Sequence, residues 1–567
     1  MQNHEIAKIF DEVADMIEVS EDNFFRVRAY RNAARTIRDC APLAEMNPDA
    51  IPRMPGIGAE ISKKIGVILK TGELPLHREL QQKVPPGIIA LLRVPGLGPK
   101  RARTLAEQLK IRDLNDLKQA AQTGAVASIR GFGAKMQEQI IQSLAQLERR
   151  PATRTMYSDA AEVVEKLIAH MRKCRVIESV ELAGSFRRRR DTVGDLDLLA
   201  ISAKPAQAME HLLALPGIAE VVARGETKTS VTLHAGLQTD LRVVARESHG
   251  AAMVYFTGSQ AHCVHLRRIA IKRGLLLNEY GLYRDGTSIA GASEDEVYSA
   301  LGLKWIPPEL REDRGEIEAA EADKLPLLIE RGDLRGDLHT HTTYTDGRAS
   351  VEQMAKAARA RGLEYIAITD HSQRLAMTRG LDPKRLAEQW REIEKVEKNL
   401  GSIRLLRGIE VDILEDGGLD LPDETLEELD WVVASVHYKL NQSSAEMTQR
   451  LITAIRNPNV DVIGHPSGRL INRRDPSEFD LAQVLRVARE EGCAMEINSQ
   501  PDRLDLIDGA CLAAKRAGVK LVLSTDSHHP HDFAFVDYGL NQARRGWIEA
   551  SDVLNTRPLK QLRQRRN

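Results

Sequence analysis

Two aspartates, Asp195 and Asp197, lie two residues apart in an apolar segment that is rich in strand-forming residues. Alternate side chains of a strand point to the same face, so a strand here would direct both carboxylates one way and the intervening leucines into a core. Adjacent carboxylates repel each other, and burial raises their pKa values. A divalent cation removes this repulsion, and Mg²⁺ and Mn²⁺ prefer such oxygen ligands. The pair therefore predicts a metal site.

A glycine, a serine and a run of arginines precede this pair. Gly184 and Ser185 form a short turn sequence, and residues 187–190 are all arginine. Backbone N–H, hydroxyl and guanidinium groups can all donate hydrogen bonds to phosphate oxygens. Taken singly, a D-x-D on a strand is common, and an arginine run is usually a solvated surface. Taken together, the two features indicate phosphoryl or nucleotidyl transfer.

A third aspartate, Asp240, lies in a later strand-like segment. The order G-S, R-R, G-D-x-D and then this aspartate resembles the catalytic core of nucleotidyltransferases, above all of family X DNA polymerases. The resemblance implies that Asp195, Asp197 and Asp240 bind two Mg²⁺ or Mn²⁺ ions and promote in-line attack on the α-phosphate of an incoming dNTP. The residues that it assigns to the triphosphate are Gly184, Ser185, Arg188 and Gly194.

The segment that begins at Tyr255 extends this resemblance. Tyr255, Phe256 and Gly258 match a family motif at the palm–thumb junction, where an aromatic pair and a backbone turn pack against the nucleotide sugar. Arg267 matches an arginine that contacts the template strand. Cys263 departs from the pattern, because relatives commonly carry an asparagine there that hydrogen-bonds the base, and a thiol is a poorer partner. The fidelity contacts of this chain therefore stay open.

Three short repeats occur within the first 150 residues, each with an apolar residue, a G-x-G turn and a basic amphipathic helix sequence. The glycines permit a tight turn, and the N-terminus of the next helix offers unpaired N–H groups to a phosphate. The repeats resemble the helix-hairpin-helix motif, which binds the nucleic-acid backbone without reading sequence. A single copy can be a plain packing element, whereas three copies favour DNA binding. The expected DNA contacts are Gly56, Gly58, Lys63, Gly96, Gly98, Lys100, Gly131, Gly133 and Lys135, together with Arg267.

Lys64 lies in the helix sequence after the first repeat. In family X polymerases with an N-terminal lyase domain, a lysine at the matching position attacks the aldehyde of an abasic sugar as a Schiff-base nucleophile, and Tyr30 matches an aromatic residue that supports it. The alternative is a lysine that only contacts phosphate. Glu60 stands where relatives often carry a further phosphate-binding lysine, so lyase chemistry stays open.

A second set of potential metal ligands occupies the C-terminal half. Each follows a short apolar strand sequence, and helical patterns lie between the strands. Alternating strands and helices with polar groups at the strand ends predict a β/α barrel whose site lies on its C-terminal face. A lone histidine after a strand is usually structural, but this number at successive strand ends is hard to explain that way. They are His339, His341, Asp346, His371, Glu410, His437, His465, Asp526 and His528.

The order of these nine residues resembles the PHP (polymerase and histidinol phosphatase) domain, a distorted barrel of seven β/α units with a trinuclear metal site. The resemblance implies up to three Mn²⁺, Zn²⁺ or Fe ions and metal-dependent hydrolysis of phosphodiesters. It assigns one ion to His339, His341, Glu410 and Asp526, a second to Glu410, His437 and His465, and the third to Asp346, His371 and His528. Arg469, Asn498 and Arg503 look placed to contact the substrate phosphate, whereas His529 and His531 have no assigned role.

The composition fits an ordinary multidomain protein, with 567 residues of which 42% are hydrophobic and 28% charged. Five cysteines without a C-x-x-C pair are typical of reduced thiols in a cytoplasmic protein, and no apolar run reaches the length of a membrane span. Residues 1–290 carry roughly +9 and the remainder roughly −10, within a net charge of −1. This asymmetry suits an N-terminal part that binds nucleic acid and an acidic, metal-rich remainder.

The expected fold is a multidomain α+β and α/β chain. Its parts are a helical lyase-like DNA-binding domain at 1–80, a fingers-like helix-hairpin-helix region at 81–150, a nucleotidyltransferase palm at 151–245, a thumb at 246–315, a linker at 316–332 and a distorted (β/α)7 PHP barrel at 333–567.

The two resemblances imply a monomeric cytoplasmic repair enzyme that acts on gapped or 3′-recessed DNA with dNTPs. It would fill short gaps and degrade 3′ ends, with abasic-site cleavage and 3′-phosphate removal as further activities of the barrel. Two alternatives stay open. One is a dedicated nuclease whose N-terminal half binds DNA without synthesis, and the other is a small-molecule phosphatase in the C-terminal half.

Overall fold

The computed structural model describes residues 3–20, 24–39, 43, 57–84, 91, 94, 97–129, 131–149, 154–375 and 378–562. It divides into two compact units, Met1–Ala152 and Thr153–Asn567. Two of the glycines expected to contact DNA, Gly56 and Gly96, lie outside the described residues, as do the side chains of Lys100 and Lys135. Among the described helices, none is long and apolar enough to cross a membrane.

The first unit is helical over most of its described length. Gly58 and Gly98 each occupy the N-cap position directly before a helix, as the repeats predict. Gly131, just before the last helix of the unit, has a φ of 95°, a backbone conformation that residues with a Cβ rarely adopt. The apolar faces of the helices form one core. The helices are Asn3–Ser20, Phe24–Asp39, Ala59–Thr71, Pro75–Lys83, Pro99–Leu109, Leu114–Gln122 and Gly133–Arg149.

The palm is built on a mixed five-stranded sheet and a short pair of strands. The strands are β1 (Thr155–Met156), β2 (Ser179–Leu182), β3 (Thr192–Val193), β4 (Asp195–Ile201), β5 (Ile218–Arg224), β6 (Lys228–Leu233) and β7 (Gln238–Val244). The sheet has the order β2–β4–β7–β6–β5, and β1 pairs with β3. Helices Tyr157–Met171, Gly184–Arg187 and Pro205–Leu213 accompany them. Asp195 and Asp197 are half-buried, whereas Leu196 and Leu198, which follow them in turn, are fully buried, so the start of β4 has the predicted alternation.

The thumb combines helices with the antiparallel strands β8 (Leu276–Asn278), β9 (Gly281–Arg284) and β10 (Thr287–Ala290). Its helices are His249–Thr257, Gln260–Lys272, Glu294–Ala300 and Glu316–Glu321. Ile317, Ala320 and Leu328, which belong to the predicted linker, are buried in the apolar core of the thumb. Residues 316–328 therefore pack as part of the thumb, because this acidic segment also carries apolar side chains at helical spacing.

The C-terminal part is a barrel of seven parallel strands in sequence order, which confirms the predicted architecture. The N–H of His341 donates to the carbonyl of Ser527 at 2.8 Å, so the first and last strands meet. The strands are β11 (Gly336–Thr340), β12 (Tyr365–Ile368), β13 (Arg404–Asp412), β14 (Trp431–Ser435), β15 (Val462–Ile463), β16 (Ala494–Asn498) and β17 (Leu521–Ser524). The helices are Val351–Ala360, Pro383–Leu400, Asp423–Glu427, Ser444–Ile455, Leu481–Glu491, Asp508–Ala517, Val536–Arg545 and Leu559–Leu562.

Glu294 joins the palm to the thumb. Its carboxylate accepts hydrogen bonds from Arg187 of the palm at 2.7 and 2.9 Å and from Arg311 of the thumb at 2.6 and 3.1 Å. The side chain of Arg311 is fully buried, and that of Glu294 is 11% exposed. The carboxylate of Glu294 balances both guanidinium groups, so the loss of any one of the three residues removes a partner from a buried or half-buried charge.

Glu294→Gln should destabilise this junction. The substitution leaves the buried guanidinium of Arg311 without its carboxylate, and removing one partner of a buried ion pair costs about 3–5 kcal/mol. We expect a lower midpoint of thermal unfolding in scanning calorimetry. Asp295→Asn removes the same charge from an exposed neighbouring side chain and should leave the midpoint unchanged.

The loss of stability caused by Glu294→Gln should depend on pH. Burial alone would raise the pKa of Glu294, but Arg187 and Arg311 hold it well below its ordinary value of 4.5. A carboxyl group whose pKa is depressed by folding contributes its full stability above the unfolded pKa and loses it as the pH falls. The difference in midpoint between wild type and Glu294→Gln should therefore be complete at neutral pH and shrink below pH about 4.5. A difference that is constant with pH would contradict this assignment.

Candidate active sites

The three palm aspartates lie together on the adjacent interior strands β4 and β7, near the start of each strand. The parallel register of β4 and β7 places Asp197 directly beside Asp240, and Asp195 shares the face of Asp197. Burial raises the pKa of Asp197 to about 6, and the charges of Asp195 and Asp240 add to this shift. A buried carboxyl group that is repelled by two others is a site that a divalent cation fits.

Asp240 forms an ion pair with a basic side chain, Lys228, that the motif does not include. Lys228 on β6 places its Nζ 2.7 Å from Oδ2 of Asp240, and the Gln238 amide donates to Oδ1 at 3.0 Å. Burial alone would raise the pKa of Asp240, but these two groups and a hydrogen bond from Ser230 hold it below its ordinary value. Sequence reasoning missed Lys228, because its proximity depends on strand pairing alone.

The turn before β4 fits closely against the acidic residues. Gly184 has a φ of 62°, and a Cβ at this position would lie 2.5 Å from Oδ2 of Asp197, so only glycine is accommodated. The hydroxyl of Ser185 is buried without a hydrogen-bond partner in the described structure, which leaves it available to an incoming oxygen. A Cβ on Gly194 would lie 3.0 Å from Nη1 of Arg154.

Arg188, which the resemblance assigns to the triphosphate, is held by the protein itself. Its Nε donates to Glu312 at 3.0 Å, and its Nη1 donates to the carbonyl of Thr257 at 2.7 Å. Glu312 also accepts from Arg545 of the barrel at 3.1 Å. A phosphate can therefore bind the whole guanidinium of Arg188 only if the hydrogen bond between Arg188 and Glu312 breaks.

The aromatic pair of the palm–thumb junction is covered by arginines. The guanidinium of Arg267 lies 5.6 Å from the ring centre of Tyr255, and that of Arg242 lies 4.4 Å from the ring centre of Phe256. A Cβ on Gly258 would lie 2.8 Å from Sγ of Cys263. The residue Cys263 is 8% exposed, its thiol lies 3.3 Å from the carbonyl of Tyr255, and burial raises the pKa of the thiol. It therefore faces the protein interior.

The nine barrel residues converge at the carboxyl ends of the strands. His465 places its Nε2 2.9 Å from Oε1 of Glu410. His371 lies close to both Asp346 and Glu410, whereas the resemblance assigns it to the third ion alone. The groups whose donor atoms lie within 4.8 Å of one another are His341, Asp346, His371 and His528; His339, His341 and Asp526; and His371, Glu410 and His437.

The chemistry of this cluster fits divalent cations. Nε2 of His339 and Nδ1 of His341 are buried and form no hydrogen bond in the described structure. Nδ1 of His371 and Nε2 of His341 lie 2.8 and 3.0 Å from the carboxylates of Glu410 and Asp526. Buried polar nitrogens in native proteins normally have partners, and a cation supplies one for each. Glu410 is almost fully buried among the imidazoles. Burial alone would raise its pKa, but nearby histidines, above all His371, hold it well below its ordinary value.

Two carboxylates that sequence reasoning missed contact the Nδ1 atoms of two metal-ligand candidates and orient their rings. Nδ1 of His339 lies 2.7 Å from Glu496, and Nδ1 of His437 lies 2.8 Å from Asp412. Both carboxylates are buried. Such contacts leave Nε2 free for an ion and fix the ring orientation. The only sign of this role in the sequence is a charged residue, Glu496, within a mostly apolar strand, and that sign alone is weak.

The three residues expected to contact substrate phosphate have different surroundings. Arg469 donates to backbone carbonyls of its own domain and pairs with Asp191 of the palm at 3.1 Å, so it joins two domains. Asn498 is fully buried and donates to Asp526 at 3.1 Å, which makes it a positioning residue for that carboxylate. Only Arg503 lines a cavity beside the cluster.

In the first unit, Lys63 is exposed and Lys64 is not free. Nζ of Lys64 donates to Glu60 and lies 5.1 Å from the ring centre of Tyr30. Burial alone would lower the pKa of Lys64, but Glu60 and Tyr30 raise it above its ordinary value. The ammonium form is thereby stabilised.

Glu496→Gln should weaken ion binding in the barrel. Gln cannot hold His339 with a full charge, and loss of such supporting carboxylates typically costs 10–100-fold in metal affinity. We expect a loss in this range when metal-free protein is titrated with Mn²⁺ in a calorimeter. Glu490→Gln, an exposed change on helix Leu481–Glu491, is the control. Equal affinities of the two variants would contradict the positioning role.

Family models match four parts of the chain. A helix-hairpin-helix domain model matches residues 1–74, a SAM-like helix-hairpin-helix tandem model matches 88–146, a DNA polymerase beta thumb model matches 252–312 and a PHP domain model matches 337–500.

One relative matches nearly end to end. The DNA polymerase/3′-5′ exonuclease PolX of Bacillus subtilis (strain 168) is 39% identical over 565 residues, which cover 99% of this chain and 98% of that protein. Probable phosphatases match the C-terminal part alone. That of Thermoanaerobacter sp. (strain X514) is 32% identical over 39% of this chain and 89% of its own length, and that of Acetivibrio thermocellus is 33% identical over 34% and 78%. The chain therefore belongs to the PolX family, the bacterial-type family X DNA polymerases with a C-terminal PHP domain.

Proposed function

We propose that this chain is a DNA repair enzyme with two separate sites, a palm that fills short gaps with dNTPs and a PHP barrel that degrades DNA from its 3′ end. The observation that carries the proposal is that one chain contains both an acidic triad on adjacent palm strands and a nine-residue donor set in the barrel, in which His465 joins the other eight through Glu410. We further propose that it acts as a cytoplasmic monomer on gapped or 3′-recessed DNA.

In the palm, Asp195 and Asp197 would hold two Mg²⁺ or Mn²⁺ ions, and Asp240 would share the ion nearest the primer. Bound ions neutralise charge on the attacking and leaving oxygens. The buried hydroxyl of Ser185 donates to a phosphate oxygen, and Arg188 exchanges Glu312 for the triphosphate.

In the barrel, the nine donor residues would hold up to three ions, and Mn²⁺ is the one we propose for the nuclease reaction. Bound ions supply Lewis acidity for attack of water on a phosphodiester. Glu496 and Asp412 keep His339 and His437 in the tautomer that leaves Nε2 without a proton. Cleavage at abasic sites and removal of 3′ phosphates would use the same residues.

The two sites can be separated by substitution. Asp195→Ala should abolish nucleotide addition to a labelled gapped duplex and leave degradation intact, because only the palm loses a ligand. His339→Ala should do the reverse. The assay follows product length by gel, with and without dNTPs and with Mg²⁺ or Mn²⁺. Glu226→Ala and His234→Ala, both at exposed palm positions, are the controls.

Each alternative has its own outcome in these assays. Loss of both activities from either variant, in a folded protein, would contradict two independent sites. A wild type that degrades but never extends the gapped duplex would support a dedicated nuclease. Faster hydrolysis of histidinol phosphate than of a 3′-recessed duplex would support a small-molecule phosphatase; the partial relatives are named as probable phosphatases.

Lys64 is better suited to bind phosphate than to attack a sugar at neutral pH, because Glu60 stabilises its ammonium form. We expect weak trapping of wild type on abasic DNA by borohydride. Glu60→Gln should increase the trapped fraction, since it removes the carboxylate that raises the pKa of Lys64, and Lys64→Ala should abolish it. Glu73→Gln is a control at an exposed position of the same unit. Equal trapping by wild type and Lys64→Ala would exclude a role for this lysine.

A further inference from the structure

A cavity of about 860 Å³ opens beside the metal-ligand cluster of the barrel. Three of the metal-ligand candidates, Asp346, Asp526 and His528, line it. The cavity is also lined by residues for which the two-site mechanism has no use. They are Arg348, His529, His531 and Phe535.

The loop that carries two of these residues is fixed to a metal-ligand candidate. The carboxylate of Asp532 accepts hydrogen bonds from the backbone N–H groups of His528 at 3.0 Å and His529 at 2.8 Å. The N–H of Arg348 donates to the carbonyl of His528 at 2.7 Å. The backbone of Arg348 and that of His529 are therefore held at a set position relative to His528.

The two additional histidines form an aromatic surface with a defined proton. Their ring centres lie 4.7 Å apart in an edge-to-face arrangement. The backbone N–H of His531 donates to Nδ1 of His529 at 3.2 Å. In neutral His529 the proton therefore resides on Nε2, which can donate to a ligand. Such a pair offers both a face for stacking and a hydrogen-bond donor.

Two guanidinium groups that line the cavity have no partner among the described residues. Those of Arg348 and Arg503 form no hydrogen bond or ion pair there, in contrast to that of Arg469 nearby. Two acidic residues of the lining are engaged elsewhere, since Asp532 binds backbone N–H groups and Asp502 lies 3.8 Å from Arg473. The two guanidinium groups can therefore donate hydrogen bonds to the phosphate oxygens of a ligand in the cavity.

We propose that Arg348, His529 and His531 form a subsite for the nucleotide next to the scissile phosphate, so that the barrel selects polynucleotide 3′ ends over small phosphate esters. In this subsite Arg348 binds the next phosphate of the strand, and the imidazoles stack on the base. The volume is large enough for this, since drug-sized ligands occupy sites of about 300–1,000 Å³. The inference rests on the proposed nuclease function.

Arg348→Gln tests the phosphate contact. We compare kcat/KM for a labelled single-stranded oligonucleotide with kcat/KM for the p-nitrophenyl ester of thymidine 5′-monophosphate, which has a single phosphodiester. The ratio of the two should fall by roughly 10- to 100-fold, as expected for the loss of one charge-assisted hydrogen bond. The dependence of log kcat/KM on log salt for the oligonucleotide should become less steep by about 0.7, the value for one phosphate contact on a single strand. Arg348→Lys, which keeps the charge, should restore this salt dependence.

His531→Ala tests the stacking contact. It should lower kcat/KM for the oligonucleotide by roughly 5- to 100-fold, since stacking on one aromatic side chain contributes about 1–3 kcal/mol per base. It should have no such effect on an oligonucleotide that lacks the base next to the scissile phosphate. Arg486→Gln, on the exposed surface of helix Leu481–Glu491, is the control for both variants, and the bound metal of every variant is measured.

The outcomes separate this inference from the function on which it rests. A wild type that does not degrade the oligonucleotide would contradict the proposed nuclease and the subsite with it. A wild type that degrades it, together with an unchanged substrate ratio in Arg348→Gln, would overturn the subsite alone. An equal loss on both substrates with reduced bound metal would also overturn it, because Arg348 would then support the metal cluster.

Discussion

Crowding of ionisable side chains in the sheet and in the barrel is the constraint on which both sites depend. In the palm, strand pairing places Asp197 beside Asp240, and burial together with the neighbouring carboxylates raises the pKa of Asp197 to about 6. In the barrel, Glu410 is buried among imidazoles, and two ring nitrogens of the cluster, Nε2 of His339 and Nδ1 of His341, form no hydrogen bond within the described residues. Repelled carboxylates and unsatisfied nitrogens are both unfavourable when buried, and in each site a divalent cation relieves this cost. The sheet and the barrel hold these groups together in spite of that cost.

Arginine–carboxylate pairs join the domains around these sites. Glu294 holds Arg187 and Arg311, and Glu312 is shared by Arg188 of the palm and Arg545 of the barrel. The arginine run therefore has two roles, because the guanidinium expected to bind a triphosphate also fixes the thumb and barrel against the palm. A nucleotide that binds Arg188 must compete with the carboxylate of Glu312 in the thumb. Because Glu312 also accepts a hydrogen bond from Arg545, the barrel shares the carboxylate that Arg188 would release.

The parts of the molecule that follow from short-range rules were predictable. The alternation in β4 follows from the twofold period of a strand, and the helices after Gly58 and Gly98 follow from turn chemistry and apolar spacing. Helix Pro383–Leu400 is one of the helices that the sequence places between strands, and a capping Asp382 and a terminal Gly401 mark its ends. Contacts between distant segments were not predictable in this way. Arg469 was expected at the substrate and instead pairs across domains.

The sequence by itself determined the chemistry of both sites, the order of the domains and the family, because motif spacing and periodicity are properties of short stretches of chain. Only the tertiary structure decided which partner each charged group has. Lys228 meets Asp240 and Glu496 meets His339 because their strands pair or face each other, and residues 316–328 pack into the thumb because an apolar core is available there. Such choices depend on how the strands and domains pack, and no local pattern encodes that packing.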